Sequence, residues 1–122
     1  MLSLKRLFQS FTDALHGLGH TFRREQNFRL QVLTGLLVAA MALYFPLKIW
    51  EVIVLILLVG WVLTMELLNT AFEYLADILK PRLHHYVHAV KDIMAAAVLV
   101  SSFGAAVIGI IIFLPHFLNL FK

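Results

Sequence analysis

The apolar residues near the start of the chain recur at steps of three and four: Leu4, Leu7, Phe8, Phe11, Leu15, Leu18 and Phe22. Between them stand Lys5, Arg6, Gln9, Asp13, His16, His20, Arg23 and Arg24. A helix turns about 100° per residue, so this spacing gathers one apolar face and one basic face. The pattern predicts an amphipathic helix over about residues 3–25, lying in the plane of a membrane surface. Residues 30–47 then form an apolar run of 18 residues with Gln31 near its start. About 17–25 such residues cross a bilayer. A second helical pattern begins near Ile49 and persists to about Lys80, with its membrane span expected over about residues 49–72. Pro81 ends that helix, and residues 80–92 read as a polar connection. A third span is expected over about residues 93–114, before Pro115. Ala95, Ala96, Ala97, Ser101, Ser102 and Gly104 in its first half would let helices approach closely.

Composition agrees with this reading. The chain has 122 residues, of which 61% are hydrophobic and 14% charged, and its mean hydropathy is +0.89. Soluble domains carry about 25% charged residues, so residues 1–122 are read as one all-α membrane domain. No charged-then-apolar leader opens the chain, so no cleavable signal peptide is expected. The absence of cysteine excludes disulfide and thiol chemistry. The net charge of +3 is small and unevenly spread, which suits topology rather than nucleic-acid binding. Lys5, Arg6, Arg23, Arg24 and Arg29 precede the first span, and Lys80, Arg82 and Lys91 lie between the second and third. Basic residues favour the cytoplasmic side, so the N-terminus and second connection are expected inside and the C-terminus outside.

The second helix carries chemistry at an unusual depth. Glu66, Asn69, Glu73 and Asp77 share one stripe at its inner end. An acid at mid-bilayer costs roughly 2.5–3.5 kcal/mol on insertion scales, and less near the interface. Glu25 and the Lys91–Asp92 pair are expected at the same depth, from two other segments, so every unusual charge in the chain is expected near one plane, the inner membrane surface. Carboxylates at one level suit a hard cation such as Mg²⁺, and Lys91 suits a phosphate. Nucleotide on one side and lipid head groups on the other point to phosphoryl transfer from ATP to a lipid hydroxyl. Glu66, the deepest acid, is then the candidate base. Plainer readings stand beside these. Glu73 and Asp77 could be a solvated helix end, Asn69 an interhelical hydrogen bond, and Glu25 an ion-pair partner of Arg29. His84, His85 and His88 match no metal signature. A small ion carrier or a non-catalytic assembly protein would also use acids and small residues in helices. A carrier, however, would want its acids nearer the bilayer midplane.

The run Glu66-Leu67-Leu68-Asn69-Thr70-Ala71-Phe72-Glu73, with Asp77, Ala89, Lys91-Asp92 and Ala96-Ala97-Val98-Leu99 following, resembles the signature of the small bacterial diacylglycerol kinase and undecaprenol kinase family. Gly17, Glu25, Asn27, Phe28 and Arg29 match its upstream segment. The resemblance implies an ATP-dependent lipid kinase working as a homotrimer in the inner membrane. It implies Glu66 as general base, Asn69 as its orienting partner, and Glu25 and Glu73 as Mg²⁺ ligands. It also implies that Lys91, Asp92, Arg6 and His84 contact ATP. The Asn27-Phe28-Arg29 segment, Pro81 and the run from Gly109 to His116 look more like the undecaprenol type than the diacylglycerol type. His85, Asp13 and Ala97 depart from the family pattern, and none of them replaces a carboxylate.

Overall fold

The computed structural model describes residues 3–122 as four helices: α1 Leu4–Arg24, α2 Gln26–Tyr44, α3 Ile49–Leu79 and α4 His84–Leu120. α2, α3 and α4 are each long and apolar enough to cross a membrane. Their outer surfaces are apolar, with Leu33, Leu36, Leu37, Ile53, Ile56, Leu57, Val100 and Phe103 all exposed. Such residues need no burial when the solvent is lipid.

α1 and α2 meet at one residue. Glu25 has extended backbone (φ −101°, ψ 113°) and is at once the C-cap of α1 and the N-cap of α2. Arg29, in the first turn of α2, donates from Nη1 to the carbonyls of Phe22 at 2.9 Å and Arg23 at 2.8 Å. The last carbonyls of a helix have no partner within it, so Arg29 closes the joint. It therefore makes no pair with Glu25.

α2 and α3 run antiparallel. Their close approach rests on Gly35, where a Cβ would lie 3.0 Å from Val59 Cγ1. α4 returns antiparallel to α3. Ser101 Oγ accepts from Trp61 Nε1 at 3.1 Å, Ser102 Oγ accepts from Gln31 Nε2 at 3.1 Å, and Lys91 reaches Asp77 nearer the open end.

α4 is longer than its apolar run. The connection expected over residues 80–92 is a turn of residues 80–83, and the histidines lie in the first turns of the helix. Val87 is buried, and Lys91, Met94 and Val98 are half-buried, a stripe at helical spacing that the polar residues disguise. Pro81 does stop α3, but Pro115 does not stop α4, which runs on to Leu120. A proline deprives only the carbonyl four residues back of its donor, and membrane helices tolerate such a loss. His116 and Phe117 hold the extension by packing on the Phe45 ring, with centroids 5.8 and 5.0 Å away.

Phe45, Leu55, Ile112 and Phe113 form the buried cluster at this end. Glu51 is buried beside it. Its Oε1 accepts from the Lys48 backbone N–H at 2.9 Å, capping α3, and stands 3.8 Å from His116 Nε2. The expectation that every unusual charge lies near one membrane surface is corrected here. Glu51 sits at the opposite end, held because it satisfies an orphan donor of the helix N-terminus.

Candidate active site

The other end of the bundle gathers acids from separate segments. Glu25 comes from the α1–α2 joint, and Glu66 and Glu73 from the inward face of α3. The three carboxylates lie within electrostatic range of one another. Glu66 is 3% exposed. It is buried within the bundle, with the Gln31 side chain of α2 close to its carboxylate. One turn on, Thr70 is also buried, and its hydroxyl donates back to the Glu66 carbonyl at 3.0 Å. Glu73 is half-buried and Asp77 exposed, so the stripe grades from dry to wet along α3.

Lys91 stands on α4 opposite this stripe. Its Nζ meets Asp77 Oδ1 at 3.0 Å, and its charge also acts on Glu73. Arg24, the last residue of α1, lies with Nε 3.7 Å from Glu25 Oε1 and Cζ 4.1 Å from the centroid of the Tyr74 ring. The Tyr74 hydroxyl is hydrogen-bonded to His20 Nε2. Asn69 is half-buried on the same helix.

The three other expected nucleotide contacts are all exposed. Arg6 is exposed in the first turn of α1, its backbone N–H donating to Ser3 Oγ at 3.4 Å. His84 is exposed at the start of α4, its ring 4.9 Å from that of His88. Asp92 is exposed beside Lys91. Among the described residues, no three His, Asp or Glu side chains converge on a position that one ion could fill. A pair of carboxylates is nevertheless the protein share that Mg²⁺ ordinarily takes, with phosphate and water completing its shell. Glu25 and Glu73 fit that donor set.

A cleft of about 490 Å³ opens between α2, α3 and α4. Gln31 and Ser102 line one end, Phe113 and Phe117 the other, and Gly35, Val62 and Gly109 lie between. Its walls are apolar apart from the Gln31 end. The cleft therefore runs from Gln31, whose side chain stands near Glu66, toward the Phe45 cluster.

The sequence offers Gln31 only as one amide in an apolar run. Its signal was available, because a polar group at membrane depth needs a partner. Tyr74, Arg24 and His20 carry no such signal, since each suits a helix end.

A buried carboxylate, further acids and a lysine gathered at one end of three membrane-length helices, next to an apolar cleft, mark the candidate site of a membrane protein. The chain belongs to the prokaryotic diacylglycerol kinase family, a family of lipid kinases, whose model matches residues 12–113. It is 37% identical over 112 residues to the undecaprenol kinase of Bacillus subtilis, an alignment covering 92% of this chain and 91% of that one. It is also 35% identical over 115 residues to a diacylglycerol kinase of a Synechocystis species, covering 93% of this chain and 66% of that one.

Proposed function

We propose that this protein transfers the γ-phosphate of ATP to the hydroxyl of a membrane lipid alcohol, with undecaprenol preferred to diacylglycerol. The observation that carries this reading is the buried Glu66 carboxylate, close to Gln31 where that residue lines one end of an apolar cleft. A lipid chain in that cleft would bring its hydroxyl to Glu66. Glu66 takes the hydroxyl proton as the alkoxide oxygen attacks the γ-phosphorus and the bond to the β-bridging oxygen breaks. Asn69, one turn on, orients the site. Glu25 and Glu73 would hold Mg²⁺ against the nucleotide phosphates, where the ion supplies charge neutralisation when bound. Lys91, Asp92, Arg6 and His84 serve the nucleotide from the aqueous side.

The preference for undecaprenol draws support from the relative of that name, which matches over nearly its whole length. Diacylglycerol is the second reading, and the Synechocystis relative favours it. The basic residues around α1 and the α3–α4 turn support an orientation with the site facing the cytoplasm. In that frame α1 lies on the inner surface of the bacterial inner membrane. Its Leu4, Leu7, Phe8 and Phe11 are exposed and would enter the acyl boundary. The working unit is a homotrimer.

Reconstitution with γ-labelled ATP, and with undecaprenol and dioleoylglycerol at equal mole fraction, tests the function. Label should enter the prenyl alcohol faster. Faster labelling of diacylglycerol reverses the preference, and no label in either lipid overturns the kinase reading. Because the chain lacks cysteine, single cysteines at positions 5 and 120, probed with an impermeant maleimide, test the orientation. The mass of the protein in mild detergent tests the trimer.

A further inference from the structure

The joint carboxylates have a cation beside them. Arg24 directly precedes Glu25, and Tyr74 directly follows Glu73. The Arg24 guanidinium carbon lies 4.1 Å from the Tyr74 ring centroid, well inside the roughly 6 Å over which a cation is drawn to a ring face. Its contact with Glu25 is different. One nitrogen, Nε, stands 3.7 Å from one oxygen. An arginine free to choose closes on a carboxylate with two parallel bonds of about 2.7–2.9 Å. Glu73 also lies within the field of Arg24. The guanidinium thus sits beside Glu25 without closing on it, and Glu73 lies within its field.

The ring that holds it is itself held. His20 and Arg24 are four residues apart on α1 and so share a face. His20 bonds the Tyr74 hydroxyl and packs its ring against Tyr74 with centroids 5.7 Å apart. The ring is gripped from two successive turns of α1. Together with Arg29 at the joint, this clasp sets how α1 meets α3.

We infer that Tyr74 is a positioning residue for the divalent-cation site: its ring face holds the Arg24 guanidinium off Glu25 and Glu73 and leaves that carboxylate pair open to a metal. The inference rests on the reading that Glu25 and Glu73 take the ion. Without the ring, Arg24 needs only side-chain rotation to make a bidentate bond to Glu25. A carboxylate neutralised in that way is a poor ligand for Mg²⁺, so the arginine becomes the metal's competitor. The aromatic face, rather than the hydroxyl, does the holding.

The test compares Mn²⁺ binding by the full-length protein in detergent, read from loss of the free-ion electron paramagnetic resonance signal with a non-hydrolysable ATP analogue present. The Mg²⁺ dependence of phosphoryl transfer is followed in parallel. Tyr74→Leu should raise the half-saturating metal concentration roughly two- to fivefold, the ratio expected for losing a partly exposed cation–ring contact. Tyr74→Phe should stay near wild type. In Tyr74→Leu/Arg24→Gln the competitor is gone, and metal binding should return to the wild-type midpoint or below it. A role in packing alone predicts that the double variant is no better than Tyr74→Leu, and that result overturns the inference. So does wild-type metal binding by Tyr74→Leu. If Tyr74→Leu does not fold, as judged by circular dichroism, Tyr74→Met takes its place in the same comparison. Glu25→Gln and Glu73→Gln separate the two levels of the argument. If both bind Mn²⁺ like wild type, the metal reading falls and the Tyr74 role with it. If both lose it while Tyr74→Leu does not, only the Tyr74 role falls.

Discussion

Lys91 and Asp77 join α4 to α3 at the open end of the bundle, Nζ to Oδ1 at 3.0 Å. Both side chains are substantially exposed, so the pair contributes under about 1 kcal/mol to stability. Its larger effect is to fix where the ammonium stands. Asp77→Asn should leave the melting temperature almost unchanged and raise the KM for ATP several-fold, with a smaller change in kcat. Steady-state kinetics at saturating lipid would check this, and an unchanged KM would separate Lys91 from the nucleotide.

Glu66→Gln keeps the shape of the buried side chain near Gln31, but removes the carboxylate proposed above as the proton acceptor. Phosphoryl transfer should fall by roughly 10²–10⁴-fold, the usual contribution of a positioned base. Binding of a nucleotide analogue should persist. The variant should be at least as stable as wild type, since a neutral amide replaces a group costly to bury as a charge. Labelled-phosphate transfer, nucleotide binding and thermal melting together check the three parts.

Gly35→Ala places a methyl group 3.0 Å from Val59 Cγ1. Forcing that volume into the α2–α3 contact should cost about 1–3 kcal/mol, read as a lower melting temperature in detergent. Gly35→Ala combined with Val59→Ala should recover most of the loss, because the second change makes room for the first.

Arg29→Lys removes the fork that reaches two carbonyls at once, since an ammonium on a flexible stem does not match that geometry. Amide hydrogen exchange should rise across residues 20–28, and activity should drop while α3 and α4 stay protected. Glu51→Ala is the counterpart at the far end. It uncaps α3 and should lower stability by about 1 kcal/mol without altering the Mg²⁺ dependence of transfer.

The long apolar helices are legible in the sequence because lipid demands unbroken apolar length, and the acidic stripe because charge at that depth stands out. The start of α4 is not. His84, His85, His88 and Lys91 read as a loop, since the inward stripe of Val87 and Met94 is too short to stand out among them. The pass through Pro115 is hidden for a related reason. Proline reads as a stop, and only the packing of Phe117 on Phe45 reveals that the helix survives it. At the site, the candidate acids can be named from spacing alone. Two features cannot: the approach of Gln31 to Glu66 and the grip of Tyr74 on Arg24. Each depends on how helices rotate about their axes when they pack, which a periodic pattern leaves free within tens of degrees.

A joint of one residue also fixes chain length. An added residue between Thr21 and Glu25 would turn everything upstream by about 100° and shift it along the axis by about 1.5 Å. His20 would then face away from Tyr74, and the apolar face of α1 would turn with it. Point changes in α1 can be absorbed one side chain at a time, whereas insertions and deletions there cannot. The segment should therefore drift in composition among functional variants of this protein while keeping its length.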